Sequence, residues 1–149
     1  MADLPPTQSW ATRLPADSKW SLEAISSGCS RGTLPLHELY EDLPLARHLL
    51  IGRDEDQCPI VVSSQLSSRI HAVLAFKNLS NNNHNPQLMP YLLDNNSSHG
   101  TYLNFKPDSK LPSKAYVEVY DGEIIQFGKD EEKKKFYIIK GPVSGKSER

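Results

Sequence analysis

Apolar residues in this chain come in short runs, each closed within a few positions by proline, glycine, asparagine or aspartate, and no stretch keeps helical spacing for long. The one segment able to hold a helical turn or two, Leu34 to Leu43, is limited by Pro35 and Pro44. A chain so punctuated cannot build a helix bundle. Many short strands separated by turn residues predict an all-β sandwich or barrel.

Trp20, Leu22 and Ala24 alternate with polar residues and predict a first strand. Ser26 to Pro44 reads as a long connection, broken by Gly28, Gly32 and Pro35. His48 to Ile51 is a short strand ending at Gly52, and Ile60 to Val62 another. Arg69 to Phe76 carries the clearest signal. Ile70, Ala72, Leu74 and Phe76 share one face, His71, Val73 and Ala75 the other, and both faces suit burial, so the strand belongs inside a sandwich. Asn78 to Pro90 reads as an Asn-rich mobile loop. Tyr91 to Leu93 and Thr101 to Leu103 return to strand. Tyr116 to Tyr120 and Glu123 to Phe127 flank Asp121-Gly122, a hairpin signal, and Phe136 to Ile139 closes the domain. Residues 1–17 are rich in Pro, Thr and Ser without periodicity and read as a flexible leader. The domain then covers 18–140, and 141–149 is a loose polar tail.

Lys and Arg number 17 against 18 Asp and Glu, a net charge of −1. Attraction of the whole surface to nucleic acid or to an anionic membrane is therefore not expected. The basic run Lys133-Lys134-Lys135 follows Glu131 and Glu132 and lacks interleaved aromatics, so it reads as a solvated hairpin. Cys29 and Cys58 form no CxxC pair and have no His pair nearby, which speaks against a disulfide framework or a metal site. No cofactor is expected. No apolar run reaches the length of a membrane span, and the N-terminus has no secretory pattern. The expectation is a soluble, intracellular protein.

Three short segments stand out at strand ends and turns, where a sandwich presents its binding loops. In Gly52-Arg53, the glycine permits close backbone approach and the arginine projects a planar fork of donors suited to phosphate. In Ser68-Arg69-Ile70-His71, a hydroxyl and a second guanidinium add donors of two kinds. His71 lies on the strand with no carboxylate or second histidine at matching spacing, and reads as a core histidine bonding neighbouring loops. In Asp94 to Gly100, turn-forming residues lead to a glycine needing positive φ, leaving Ser98 and His99 at the tip.

The order Gly-Arg, Ser-Arg-x-His, Ser-x-Gly-Thr-x-Leu-Asn (Ser98 to Asn104) and Asp-Gly-Glu-x-Ile-x-Phe-Gly (Asp121 to Gly128) resembles the forkhead-associated (FHA) domain. The resemblance runs from about Trp20 to Ile139. It implies an FHA/SMAD-like sandwich of two twisted, mostly antiparallel sheets with about eleven strands, and recognition of phosphothreonine peptides by loops at one end. By position it implies that Arg53 contacts the phosphate and the bound peptide's backbone. Ser68 hydrogen-bonds the phosphate, Arg69 adds a further donor, Ser98 lies beside the phosphothreonine, and His99 stands where the family often has the asparagine that bonds the peptide main chain. Gly52, His71, Gly100 and Asn104 support the loops.

An enzyme is disfavoured. Ser68, His71 and Asp94 contain the atoms of a hydrolase triad, but no Gly-x-Ser-x-Gly elbow is present. The alternative within the same fold is a sandwich mediating phospho-independent protein–protein contact, through a sheet face or the Ser26–Pro44 connection. FHA domains sit in nuclear signalling proteins such as checkpoint kinases, and Thr7-Gln8 is the dipeptide that DNA-damage kinases modify. These point to a nuclear setting and a DNA-damage checkpoint. A monomer is expected, with dimers only where phosphorylated Thr7 is bound by a second copy.

Overall fold

The computed structural model describes residues 4–80, 84–129 and 134–142. Among the described residues, eleven strands and one short α-helix follow in the order β1 (Ala11–Thr12), β2 (Ser21–Ser26), β3 (Cys29–Pro35), α1 (Leu36–Asp42), β4 (His48–Gly52), β5 (Ile60–Val61), β6 (Ala72–Asn78), β7 (Leu88–Asp94), β8 (Thr101–Leu103), β9 (Tyr116–Glu118), β10 (Ile124–Phe127) and β11 (Lys135–Lys140), with a 3-10 turn at Pro107–Ser109 between β8 and β9. One sheet runs β5-β4-β6-β7-β9, with β1 pairing the far end of β6. The other runs β3-β2-β11-β10-β8. Pairing is antiparallel except for the short β4–β5 ladder. This is the all-β sandwich expected from the strand punctuation.

The core forms where the two inner faces meet. Leu49, Ile51, Leu74, Phe76 and Leu92 come from the first sheet, Leu22, Leu103, Ile125 and Ile139 from the second, and all are buried. Burial of each such side chain stabilises the fold by about 1.5–3 kcal/mol. Central strand β6 is buried on both faces: Val73 and Ala75 are as inaccessible as Leu74 and Phe76, as its doubly apolar pattern predicts.

Three sequence expectations about the strands and their connections need correction. The Ser26–Pro44 stretch is not a connection but holds β3 and α1. β3 is an edge strand exposed over most of its length, so it carries no apolar alternation to read. Helix α1 starts after Pro35, where a fixed φ of −67° is tolerated, and buries Leu36 and Tyr40, four apart on one face. Asp121-Gly122 does not close a hairpin. β9 pairs with β7 in one sheet and β10 with β8 and β11 in the other, so the turn carries the chain between sheets. The predicted mobile loop is shorter than expected, because Leu88 to Pro90 already pair with Phe76 to Asn78.

The leader, read as flexible, is fastened to the sandwich. Ala11 and Thr12 pair with Lys77 and Phe76. The Trp10 ring packs 5.3 Å from Tyr91 and 4.9 Å from Tyr116. Tyr91 is the register partner of Ala75, so the leader lies over the outer face of the first sheet. The Arg13 guanidinium donates to the carbonyls of Tyr40 in the last turn of α1 and of Leu43 (2.7 Å) and Ala46 (2.6 Å) just past its end, and sits 5.5 Å over the Tyr40 ring. A strap contributes single anchors rather than a repeating face, and periodicity does not detect it. In the predicted tail, the Gly141 N–H donates to Asp121 (2.8 Å). Residues 143–149 and Glu131 to Lys133 lie outside the described residues. Among the described residues no helix is long and apolar enough to cross a membrane.

Candidate functional site

The register brings three loops to one end of the first sheet. Ile51 pairs with Ala72 and Ala72 with Asp94, so the end of β4, the start of β6 and the end of β7 are flush. The segments that leave or enter them hold Arg53, Ser68 to His71, and Asp94 to Gly100.

Gly52 is where the first two loops meet. A Cβ there would lie 2.1 Å from the Arg69 carbonyl oxygen and 3.0 Å from the His71 nitrogen, so only glycine fits this approach. The contact is sealed by backbone bonds from Arg53 N–H to the Ser68 carbonyl (3.0 Å) and from Asp54 N–H to the Arg69 carbonyl (3.2 Å). The buried Cys58 thiol also donates to the Arg69 carbonyl (3.4 Å). Its pKa is pushed up to about 11, first by burial and then by Asp54, which removes it as a nucleophile.

His71 is fully buried. Its Nδ1 accepts the Ser68 N–H (2.9 Å), which leaves Nε2–H to donate to the Gly100 carbonyl (2.8 Å). The network therefore assigns the neutral Nε2–H tautomer. Burial holds the imidazole below its ordinary pKa, against the opposing pull of the Gly100 carbonyl and Asp94. Nε2 stands 3.8 Å from Asp94 Oδ1, and with a neutral ring this is not an ion pair. One side chain thus bonds both the Ser68 turn and the Gly100 turn.

The third loop is folded around Asp94. Its carboxylate accepts the Ser97 N–H (3.1 Å), the Ser97 hydroxyl (2.5 Å) and the Thr101 hydroxyl (2.7 Å), and Ser97 Oγ in turn accepts the Gly100 N–H (2.9 Å). Asn95 donates through its backbone to the His71 carbonyl (2.9 Å) and through its amide to that of Ile70 (3.1 Å). Gly100 takes φ +80°, and its carbonyl also accepts the Gly128 N–H (2.7 Å) from the second sheet. In sequence, Asp94, Asn95 and Ser97 look like generic turn formers. The one signal for their role is the Asp-x-x-Ser spacing, which suits a side-chain-capped turn.

The expected ligand-facing side chains are placed as follows. Arg53 is exposed, and its guanidinium has no hydrogen-bond or ion partner among the described residues. Ser68 Oγ accepts the Ser98 N–H (3.0 Å), so its own O–H remains to donate. Ser98 and His99 are exposed on the third loop. Arg69 is exposed, but its Nη2 is bonded to Asp54 Oδ2 (2.9 Å). Asn104 sits apart from the others, at the far end of β8. It takes φ +57°, accepts the Ile124 N–H and donates to Glu123 (both 3.0 Å), and so supports its own turn rather than the three loops.

What this end of the sandwich offers chemically is donors: a free guanidinium, a second one in an ion pair, and an oriented hydroxyl. They suit an oxyanion. The Ser68 hydroxyl is not bonded to His71, whose acceptor nitrogen is taken by the Ser68 backbone, so the atoms of the imagined triad are not linked as one. Among the described residues no three metal-ligating side chains gather.

Comparison with known proteins gives a consistent result. A family model described as "FHA domain" matches residues 49–128. A human protein, kanadaptin, is 29% identical over 125 residues, 83% of this chain. The aligned part is 15% of that protein, so the chain spans a small fraction of its relative. Among solved structures, the yeast splicing factor Pml1 superposes with a TM-score of 0.67 at 19% identity, covering 97% of this chain and 99% of that one. The MEK1 FHA domain gives 0.63 at 20% identity (83% and 90%). The yeast Dun1 FHA domain, solved with a doubly phosphorylated peptide from Rad53, gives 0.57 at 17% identity (99% and 87%).

Proposed function

The chain belongs to the FHA domain family, and from that premise we propose that it is a phosphothreonine-binding module for partner proteins in intracellular signalling, without enzymatic activity and without a cofactor. The observation that carries this reading is the exposed, unpartnered Arg53 guanidinium, locked by backbone bonds to the turn that presents the Ser68 hydroxyl. An arginine held at its backbone and free at its tip is arranged for a ligand.

A phosphothreonine brings nearly two negative charges and three acceptor oxygens. In this proposal Arg53 takes the phosphate and the peptide backbone, and Ser68 donates its hydroxyl. Arg69 adds a second guanidinium, and Ser98 and His99 contact the peptide beside the modified residue. Each charge-assisted bond contributes roughly 1.5–3 kcal/mol. Preference for threonine over serine draws on burial of one methyl group, about 0.8 kcal/mol, and on the stiffer branched side chain. The binding unit proposed is the sandwich together with its leader strap.

The nuclear, checkpoint-type setting is part of the proposal. It draws on Thr7-Gln8, whose threonine is exposed on the strap, and on the likeness to a splicing factor and to a domain solved with a phosphorylated peptide. If phosphorylated Thr7 is itself a ligand for a second copy, dimers will require both that phosphate and Arg53. A phosphorylated chain that stays monomeric at high concentration removes that part.

The test is a titration against a degenerate phosphothreonine peptide library, with unphosphorylated, phosphoserine and Arg53→Ala controls. Binding that needs both phosphothreonine and Arg53 supports the reading. A folded sample that binds no phosphopeptide, but holds a partner after phosphatase treatment, transfers the function to phospho-independent contact.

A further inference from the structure

Asp54 follows Arg53 directly and carries a negative charge into the loop that presents the proposed phosphate-binding arginine. Its Oδ2 accepts from Arg69 Nη2 (2.9 Å) and from the Gln57 amide (3.2 Å), and its Oδ1 accepts the Asp56 N–H (3.0 Å). The loop's own backbone thus keeps the carboxylate in place whether or not Arg69 is there. The partners differ in freedom: the Asp54 side chain is 11% exposed, whereas that of Arg69 is 57% exposed. The carboxylate is fixed, and the arginine is the half of the pair able to leave. The bonds from Arg69 and from the Asp56 N–H hold the Asp54 carboxyl below its ordinary pKa, so the charge persists through the neutral range.

We propose that Asp54 is an internal competitor for Arg69, a specificity-determining carboxylate that occupies the second guanidinium until a dianionic phosphate draws it away. This rests on the phosphothreonine reading above. A ligand carboxylate, with one charge, offers Arg69 no more than Asp54 already does, and it meets the repulsion of Asp54 as well. A phosphate offers nearly twice the charge and a third oxygen. The ion pair therefore acts as a threshold: it tolerates phosphorylated peptides and rejects acidic, unphosphorylated ones.

The experiment compares wild type, Asp54→Asn, Arg69→Gln and the double variant, using the tightest phosphothreonine peptide selected from the library and the same peptide with glutamate at that position. The Asp54→Asn side chain keeps an oxygen for the Asp56 N–H, and matching urea midpoints verify the fold. The expected result is that Asp54→Asn tightens phosphopeptide binding by roughly two- to fivefold, the scale of an exposed ion pair, and brings glutamate-peptide binding into the measurable range. Both gains should vanish in the Arg69→Gln background. Weaker binding by Asp54→Asn would make Asp54 a positioning residue for Arg69 and overturn the proposal, as would an unchanged affinity or gains that survive without Arg69. In all three cases wild-type binding lost on Arg53→Ala leaves the phosphothreonine reading intact. No phosphopeptide binding by wild type or variant overturns both.

Discussion

Replacing Gly52 with alanine tests whether the site rests on one backbone contact. The added Cβ would lie 2.1 Å from the Arg69 oxygen and 2.8 Å from its carbonyl carbon. Both are backbone atoms with no rotamer to escape into. To regain ordinary contact at 3.4 Å the Arg69 peptide must retreat by about 1.3 Å, which stretches the 3.2 Å bond from Asp54 N–H beyond any useful length and strains the 3.0 Å bond from Arg53 N–H. Overpacking costs about 1–3 kcal/mol, and two lost backbone bonds add about 0.5–1.5 kcal/mol each. The lower entropy of the unfolded alanine chain offsets up to ~1 kcal/mol. The net expectation is a loss of roughly 1–6 kcal/mol, set against the ~5–15 kcal/mol that a domain has, together with loss of phosphopeptide affinity. Urea unfolding followed by tryptophan fluorescence measures the first quantity and peptide titration the second. The control is Gly28→Ala. It has φ +79° but nothing within 4 Å of the new Cβ, so it should cost only about 1–2 kcal/mol for the left-handed backbone. If Gly52→Ala unfolds no earlier than Gly28→Ala, the close-approach argument is wrong.

Acid should weaken the fold before any carboxylate titrates. His71 and His48 are held below the ordinary value of 6.5 chiefly by burial, so the unfolded chain takes up these protons first. Stability is then full above about pH 6.5 and falls as pH drops, by up to ~1.4 kcal/mol per pH unit and per histidine, until the folded groups themselves titrate; urea midpoints that stay flat from pH 7 to pH 5 would contradict this. Asp54 and Glu23, also lowered, add losses only below about 4.5. Asp94→Ala strips partners from the Ser97 and Thr101 hydroxyls and should cost roughly 2–4 kcal/mol, with phosphopeptide binding weakened in parallel, both visible in the same two assays. A chain starting at Ser18 loses the Trp10 packing, the β1 pairing and the Arg13 bonds, and should melt at least ~5 °C lower by calorimetry; an unchanged transition would mean that the strap contributes nothing.

What the sequence disclosed depended on how each element earns its place. β6 announces itself because both its faces are buried, and Thr101 to Leu103 because it alternates between two turns. β3 is silent because an exposed edge strand needs no apolar face, and the strap is silent because Pro5, Trp10, Ala11 and Leu14 anchor it one residue at a time. The Asp-Gly turn was visible, but not which sheet each flanking strand would join, since pairing partners are set by packing far along the chain. At the site, Gly52, Arg53, Ser68, His71 and Gly100 were singled out by their places at strand ends and turns and by the resemblance that their motifs carry. The carboxylates that organise them were not. Asp94 and Asp54 look like ordinary turn aspartates until the fold shows which hydroxyls and guanidinium they meet.

The pairing of β2 with β11, from Ser21 opposite Lys140 to Ser26 opposite Lys135, has a consequence for the order of assembly. As the chain is synthesised, the first sheet has all its strands once Glu118 has emerged, while the second has a vacancy between β2 and β10 until the last strand arrives. Contacts so distant in sequence form late and make folding slow. The Gly128-to-Gly100 bond that steadies the third loop belongs to this late sheet. That bond can form only after Gly128 has emerged, long after Arg53.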